Sequence, residues 1–160
     1  MKHEKVKALL DEVQEYANKH SGCKKVSVGS AIFVNGTTET VVFGVNRTLP
    51  VSCKEYGCQR EELYGEDSKS HRLPSDCRAI HSEIEALTCA AKFGISTDNA
   101  TILVTRYPCE ACARAIVNSG IKTVYYGRQQ EISEQTKGIF EKAGVKVFWI
   151  KDWIYEDTNR

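Results

Sequence analysis

Val6, Leu9, Leu10, Val13, Tyr16 and Ala17 recur at helical spacing, which predicts an amphipathic helix over residues 4–19. Two β-rich runs follow, KVSVGSAIFV and ETVVFGVN, separated by NGTT, in which Asn35-Gly36 is a strong hairpin signal. Residues 47–78 lose the periodicity but hold three cysteines and His71. A patternless stretch of that length in a compact chain is expected to be functional or pinned by something. From Ala79 the pattern alternates: a helix at 80–93 ending at Gly94, strand ATILVT, and a helix from Cys109 to about Asn118. Strand TVYYG, a helix around 131–143 ending at Gly144, and strand VKVFWI complete the chain's regular pattern. Alternating helices and strands with short connections argue for an α/β sandwich whose later strands run parallel.

The 160 residues favour a single domain, 1–160, with a cysteine-rich insertion at about 47–78. Twenty-two basic residues against 21 acidic ones leave a net charge of +1. That balance carries no footprint for a nucleic-acid polymer or a membrane surface, so a small-molecule substrate is favoured. No apolar run approaches a membrane span, and MKHEKVKALLDEVQEY lacks the apolar core of a signal peptide. Seven cysteines, an odd number, suit a disulfide framework poorly. In a reducing compartment such a set points to metal binding or catalysis, and the chain reads as cytoplasmic.

Pro108-Cys109-Glu110-Ala111-Cys112 places two thiols at a strand-to-helix junction, where a helix N-terminus stabilises thiolates. Alone, this CxxC leaves open a redox pair and, less favoured, a plain buried pair. HSEIEAL puts His81 and Glu83 at the start of another predicted helix. His81, Cys109 and Cys112 can converge on one tetrahedral Zn²⁺ and leave its fourth position open, as catalytic sites do. Zinc lowers the pKa of water towards neutrality, and Glu83, outside the ligand set, would shuttle the proton. For His-x-Glu alone the bland reading would prevail, with His81 a capping or solvated histidine and Glu83 a surface carboxylate. Joined to PCxxC across a predicted strand, it does not: H-x-E…P-C-x-x-C is the signature of zinc nucleobase deaminases.

On these residues the chain resembles the cytidine deaminase-like superfamily, and within it the deoxycytidylate (dCMP) deaminase branch. SGCKKVSVGSAIFV resembles the family's cysteine and first strand, FGVN its glycine–tyrosine–asparagine turn, and CRAIHSEIEAL its histidine–alanine–glutamate helix. ILVTRYPCEACARAIVNSGIKTVYYG is similar to the family throughout. The resemblance implies a three-layer α/β/α sandwich with a central mixed five-stranded sheet flanked by helices. It implies His81, Cys109 and Cys112 as zinc ligands, Glu83 as general acid/base, and Asn46 as a contact to the sugar of a bound nucleotide. Taken as a turn residue alone, Asn46 would adopt the left-handed conformation. Three departures stand out: Ser82 for alanine, Glu85 where the branch has asparagine, and Arg47 where it has glycine.

In the same branch, cysteine and histidine ligands often hold a second, structural zinc. Cys23, Cys53, Cys58 and Cys77 are the candidates, with His71 competing; the alternative is free thiols. Cys89, among Leu87, Ala90 and Ala91, reads as a small core residue, and Ile84 and Leu87 are expected to bury their helix against the sheet. Glu85 is either solvated or substrate-facing. Arg47 follows Asn46 directly and is the expected reader of a 5′-phosphate, with Arg60, Arg78 and Arg106 nearby. The expected reaction is hydrolytic conversion of dCMP to dUMP. The rivals are cytidine, cytosine, guanine or RNA deamination, and a non-catalytic zinc module of the same fold. Trp153 and Tyr155 look exposed near the C-terminus, and a homo-oligomer is expected.

Overall fold

In the computed structural model, which describes residues 2–34, 42–65, 76–129 and 133–155, helix α1 (His3–His20) buries Val6, Leu9, Leu10, Val13 and Ala17. That is the apolar stripe its periodicity requires. Strands β1 (Gly29–Phe33), β2 (Val42–Val45), β3 (Thr101–Arg106), β4 (Thr123–Arg128) and β5 (Lys146–Trp149) form one mixed sheet in the order β2-β1-β3-β4-β5. β1 is antiparallel to both β2 and β3, whereas β3, β4 and β5 are mutually parallel. Asn35-Gly36 and His71 lie outside the described residues.

The strand period of two sends alternate side chains to opposite layers. Ala31, Phe33 and Leu103 pack with α1 and with Ile150 and Trp153 on one face. Ile32, Ile102, Val104 and Val124 pack on the other face. They meet α4 (Ser82–Lys92), α5 (Glu110–Asn118) and α6 (Glu134–Lys142) through Ala86, Ala113, Ile116 and Phe140. The result is the three-layer sandwich expected, with its sheet of five strands.

Between β2 and α4 two short helices appear, α2 (Cys53–Tyr56) and α3 (Gln59–Tyr64). At four and six residues they are too short to print a hydrophobic period. Among the described residues no helix is long and apolar enough to cross a membrane.

Two expectations need correcting. The residues of α4 buried deepest on the sheet are Ala86 and Ala90, not Ile84 and Leu87, which are only half-buried. The cause is close approach: a Cβ on Gly44 of β2 would lie 2.2 Å from the Ser82 carbonyl oxygen and 2.5 Å from the Ala86 nitrogen. Only small residues fit so tight a seam. Trp153, expected at the surface, is buried against α1, its Nε1 donating to Asp11 at 2.8 Å. Tyr155 stacks on Trp153, and Arg128 lies over both rings.

Candidate metal centre and active site

Two helix N-termini meet beyond the carboxyl end of β3. His81 is the N-cap of α4 and Cys109 the N-cap of α5, and neither side chain is spent on a capping hydrogen bond. Both side chains turn towards each other instead. His81 Nδ1 lies 3.4 Å from Cys109 Sγ and 3.4 Å from Cys112 Sγ. Metal–ligand lengths of about 2.3 Å to sulfur and about 2.0–2.1 Å to nitrogen at a tetrahedral angle would separate those atoms by about 3.6 Å. The triad therefore fits a tetrahedral ion with little movement. Among the described residues it is the group of three or more potential ligands whose atoms all lie within 4.8 Å of one another.

The electrostatics suit thiolate formation. Hydrogen bonding from Cys112, followed by that from His81, holds the Cys109 thiol down to about 4. The Cys112 thiol is pushed the other way, upwards, by its bond to Cys109 first and then by burial. Contact with Cys109 raises His81. A metal bound by both sulfurs needs both ionised, so its binding would release protons.

Glu83 sits in the first turn of α4 and is 4% exposed. Burial pushes its carboxyl above the ordinary range, against the smaller pull of His81. Ser82 Oγ donates to it at 3.2 Å, while the Ser82 carbonyl accepts from Ser30 Oγ at 2.7 Å. A buried carboxyl beside three metal-type ligands, itself outside that group, can carry a proton without competing for the metal.

Asn46 does not take the left-handed conformation; among the described non-glycine residues only Asn99 does. Its side-chain oxygen accepts from Ser21 Oγ at 2.6 Å and the Val28 N–H at 3.0 Å, and its nitrogen donates to the Val26 carbonyl at 2.8 Å. Asn46 thus holds the segment that leads into β1. Glu85 is buried rather than solvated, accepting from the Val45 N–H at 2.5 Å and pairing with Arg47 through Nε. Sequence reasoning treated Arg47 and Glu85 as separate departures. Arg78 is engaged by Glu62, and Arg60 is close enough for its charge to oppose protonation of His81. Ser30, behind the catalytic helix, had no sequence signal beyond its place on a buried strand.

Cys23, Cys53, Cys58 and Cys77 come into one neighbourhood. Burial first, then Cys23, Cys58 and Cys77, raises the Cys53 thiol. Their sulfurs are less closely drawn together than the ligands at His81. Cys89 is half-buried against the core, as a small filler would be.

Comparison with known proteins agrees with this arrangement. The chain matches the MafB19-like deaminase family over residues 4–154. It is 36% identical over 145 residues to ComE operon protein 2 of Bacillus subtilis strain 168, covering 88% of this chain and 69% of that protein. It is 36% identical over 109 residues to the deoxycytidylate deaminase of Enterobacteria phage T2, covering 67% of this chain and 58% of that protein. The dCMP deaminase of cyanophage S-TIM5, solved in complex with dCMP and dUMP, shares the fold at TM-score 0.69 and 24% identity, over 93% of this chain and 98% of that one. The chain belongs to the MafB19-like deaminase family, and a deoxycytidylate deaminase is among the relatives it resembles.

Proposed function

We propose that the protein is a zinc-dependent aminohydrolase that deaminates a cytosine nucleotide, converting dCMP and water to dUMP and ammonia. The observation that carries this reading is the meeting of His81, Cys109 and Cys112 beside the buried carboxyl of Glu83. The phage T2 relative, a deoxycytidylate deaminase, supports the substrate.

His81, Cys109 and Cys112 would hold Zn²⁺, with both helix N-termini favouring the thiolates. When bound, zinc supplies a Lewis acid that makes water ionisable near neutral pH. Glu83 takes the proton that water loses and delivers it to ring N3 as oxygen adds at C4. It then takes the second proton, from the hydroxyl now on C4, and passes it to the amine, which leaves as ammonia while the C4 carbonyl forms. Its burial suits this double duty, since a raised pKa brings a carboxyl closer to the pH at which it must both accept and donate. Ser82 orients the carboxyl through its hydroxyl.

Asn46 would contact the sugar, and Arg47, held by Glu85 through Nε alone, would offer its terminal nitrogens to the 5′-phosphate. Cys23, Cys53, Cys58 and Cys77 would hold a second, structural zinc, a donor set of four thiols being chemically suited to it. A cytoplasmic homo-oligomer completes the proposal, on superfamily resemblance. The test is turnover of dCMP, deoxycytidine, cytidine, cytosine and guanine by purified zinc-loaded protein, followed by ammonia release. Preference for dCMP is expected. Preference for a nucleoside or a free base would overturn the nucleotide assignment, and no turnover of any would leave a non-catalytic module.

A further inference from the structure

Ser30 and Gly44 face each other across the antiparallel pair of β1 and β2, and both present their side-chain positions to α4. The next pair on the same face, Ile32 and Val42, is apolar. Gly44 has no Cβ where the Ser82 carbonyl lies, and Ser30 Oγ donates to that carbonyl at 2.7 Å. A missing side chain and a hydroxyl thus form one polar notch in an apolar sheet face, and the first peptide of α4 is seated in it. Ser30 and Ser82 are fully buried, so solvent does not compete for the bond.

The notch connects directly to the buried carboxyl. Ser82, whose carbonyl is held, gives its own hydroxyl proton to Glu83 Oε2 at 3.2 Å. Glu83 in turn reaches Cys112, one of the three ligand-type residues. Ser30, Ser82 and Glu83 therefore run from the middle of β1 to the metal centre through buried groups alone. Filling space does not call for either hydroxyl. A buried hydroxyl costs free energy unless it is bonded, and Ser82 stands where the branch that the chain resembles has alanine. What the hydroxyls add is direction: a carboxylate held at one oxygen has only the other to offer to a proton.

We propose that Ser30 and Ser82 are positioning residues for Glu83. Ser30 seats the first peptide of α4 against Gly44, and Ser82 holds one carboxylate oxygen so that the other carries the proton. This rests on the reading of Glu83 as the proton carrier of a zinc-dependent deaminase. At 3.2 Å the Ser82 bond is long for a contact to a carboxylate, so the worth of an ordinary hydrogen bond is expected of it.

The test uses zinc-loaded protein with Ser30→Ala and Ser82→Ala, each placed in the wild-type and the Glu83→Ala backgrounds. Turnover of dCMP is followed. Calorimetry measures affinity for dUMP and for the pyrimidin-2-one nucleotide, which adds water at C4 and so resembles the transition state. Ser82→Ala should lower kcat and pyrimidinone affinity by about 3- to 10-fold, with KM, dUMP affinity and zinc content unchanged. Ser30→Ala should lower the same two quantities by a smaller factor, because it acts through Ser82. Both effects on pyrimidinone binding should vanish in Glu83→Ala, which has no carboxyl to hold. Wild type that turns over no cytosine compound would remove the deaminase reading and this inference with it. With active wild type, three results would overturn the positioning role alone: full kcat in Ser82→Ala, losses shared equally by dUMP affinity and zinc content, or losses that persist in Glu83→Ala. Wild-type values in Ser30→Ala would overturn the part assigned to Ser30.

Discussion

Arg47 and Glu85 are one structural unit: Arg47 Nε donates to one carboxylate oxygen of Glu85, and the other takes the Val45 N–H at 2.5 Å. The pair ties the end of edge strand β2 to the first turn of α4, the turn that carries Glu83. Glu85 is buried while Arg47 keeps a third of its side chain in solvent. Glu85→Gln should therefore cost about 1.5–3 kcal/mol, as for a hydrogen bond to a charged group, with the exposure of Arg47 pulling it to the lower end. A loss of about 1.5 kcal/mol corresponds to about 3–6 °C in melting temperature for a chain of this size. Calorimetry of the single variants and of Arg47→Ala/Glu85→Gln measures it. Additive losses would show that the pair is not coupled.

Gly44 has a sharper effect. A methyl group there meets backbone atoms of α4 at 2.2 and 2.5 Å, and backbone cannot swing aside as a flexible side chain can. Gly44→Ala should cost about 1–3 kcal/mol by overpacking. It should also push the amino end of α4 outwards, away from Cys109 and Cys112. Small misplacements of catalytic groups can lower rates about 100-fold, so kcat should fall even well below the melting temperature. A variant that loses stability but keeps full kcat would show that α4 slides without disturbing its first turn.

The fold was legible because its elements leave their pattern in sequence: the stripe on α1, the β-rich run that becomes β1, and the alternation after Ala79 all match the structure. The chemistry was legible because metal-type ligands at helix starts keep a short, characteristic spacing. What escaped depended on distance between elements. Ala86 and Ala90 replace Leu87 at the deepest contact because Gly44 lets two backbones close up, which no one-dimensional pattern encodes. Trp153 reads as exposed beside charged neighbours, yet Gly127 has no side chain where the indole packs. Asn46 stands out in sequence as the family's turn residue and Glu85 as a departure, but their partners are 18 to 40 residues away.

Glu83→Gln removes the proton carrier while preserving shape. The amide cannot accept the proton that water loses, so kcat should fall by at least the factor of about 10²–10⁴ typical of general acid–base catalysis. Zinc content should stay at the wild-type value, because Glu83 is not in the ligand group. Melting temperature should hold or rise, because a neutral group is easier to bury than a carboxylate. A variant within tenfold of the wild-type rate would contradict the role assigned to Glu83.

Substrate choice turns on whether Arg47 has any capacity left for phosphate once Glu85 holds it. A guanidinium offers five N–H donors, and its Nε bond to Glu85 fixes the plane of the group rather than consuming it. In that geometry Glu85 would aim Arg47, and the two positions would act together on the 5′-phosphate. Arg47→Ala should then raise KM for dCMP by roughly 10- to 150-fold, the equivalent of a charge-assisted contact of about 1.5–3 kcal/mol. Deoxycytidine, lacking the phosphate, should be nearly unaffected. Glu85→Gln should raise KM for dCMP in the same direction but less, because the cation survives with its orientation loosened. If Arg47 serves only to anchor β2 on α4, both substrates should suffer equally through the displaced catalytic helix. Steady-state kinetics on dCMP and deoxycytidine with the two variants separate these cases, and an equal loss on both substrates, or none on either, rules out phosphate recognition by Arg47.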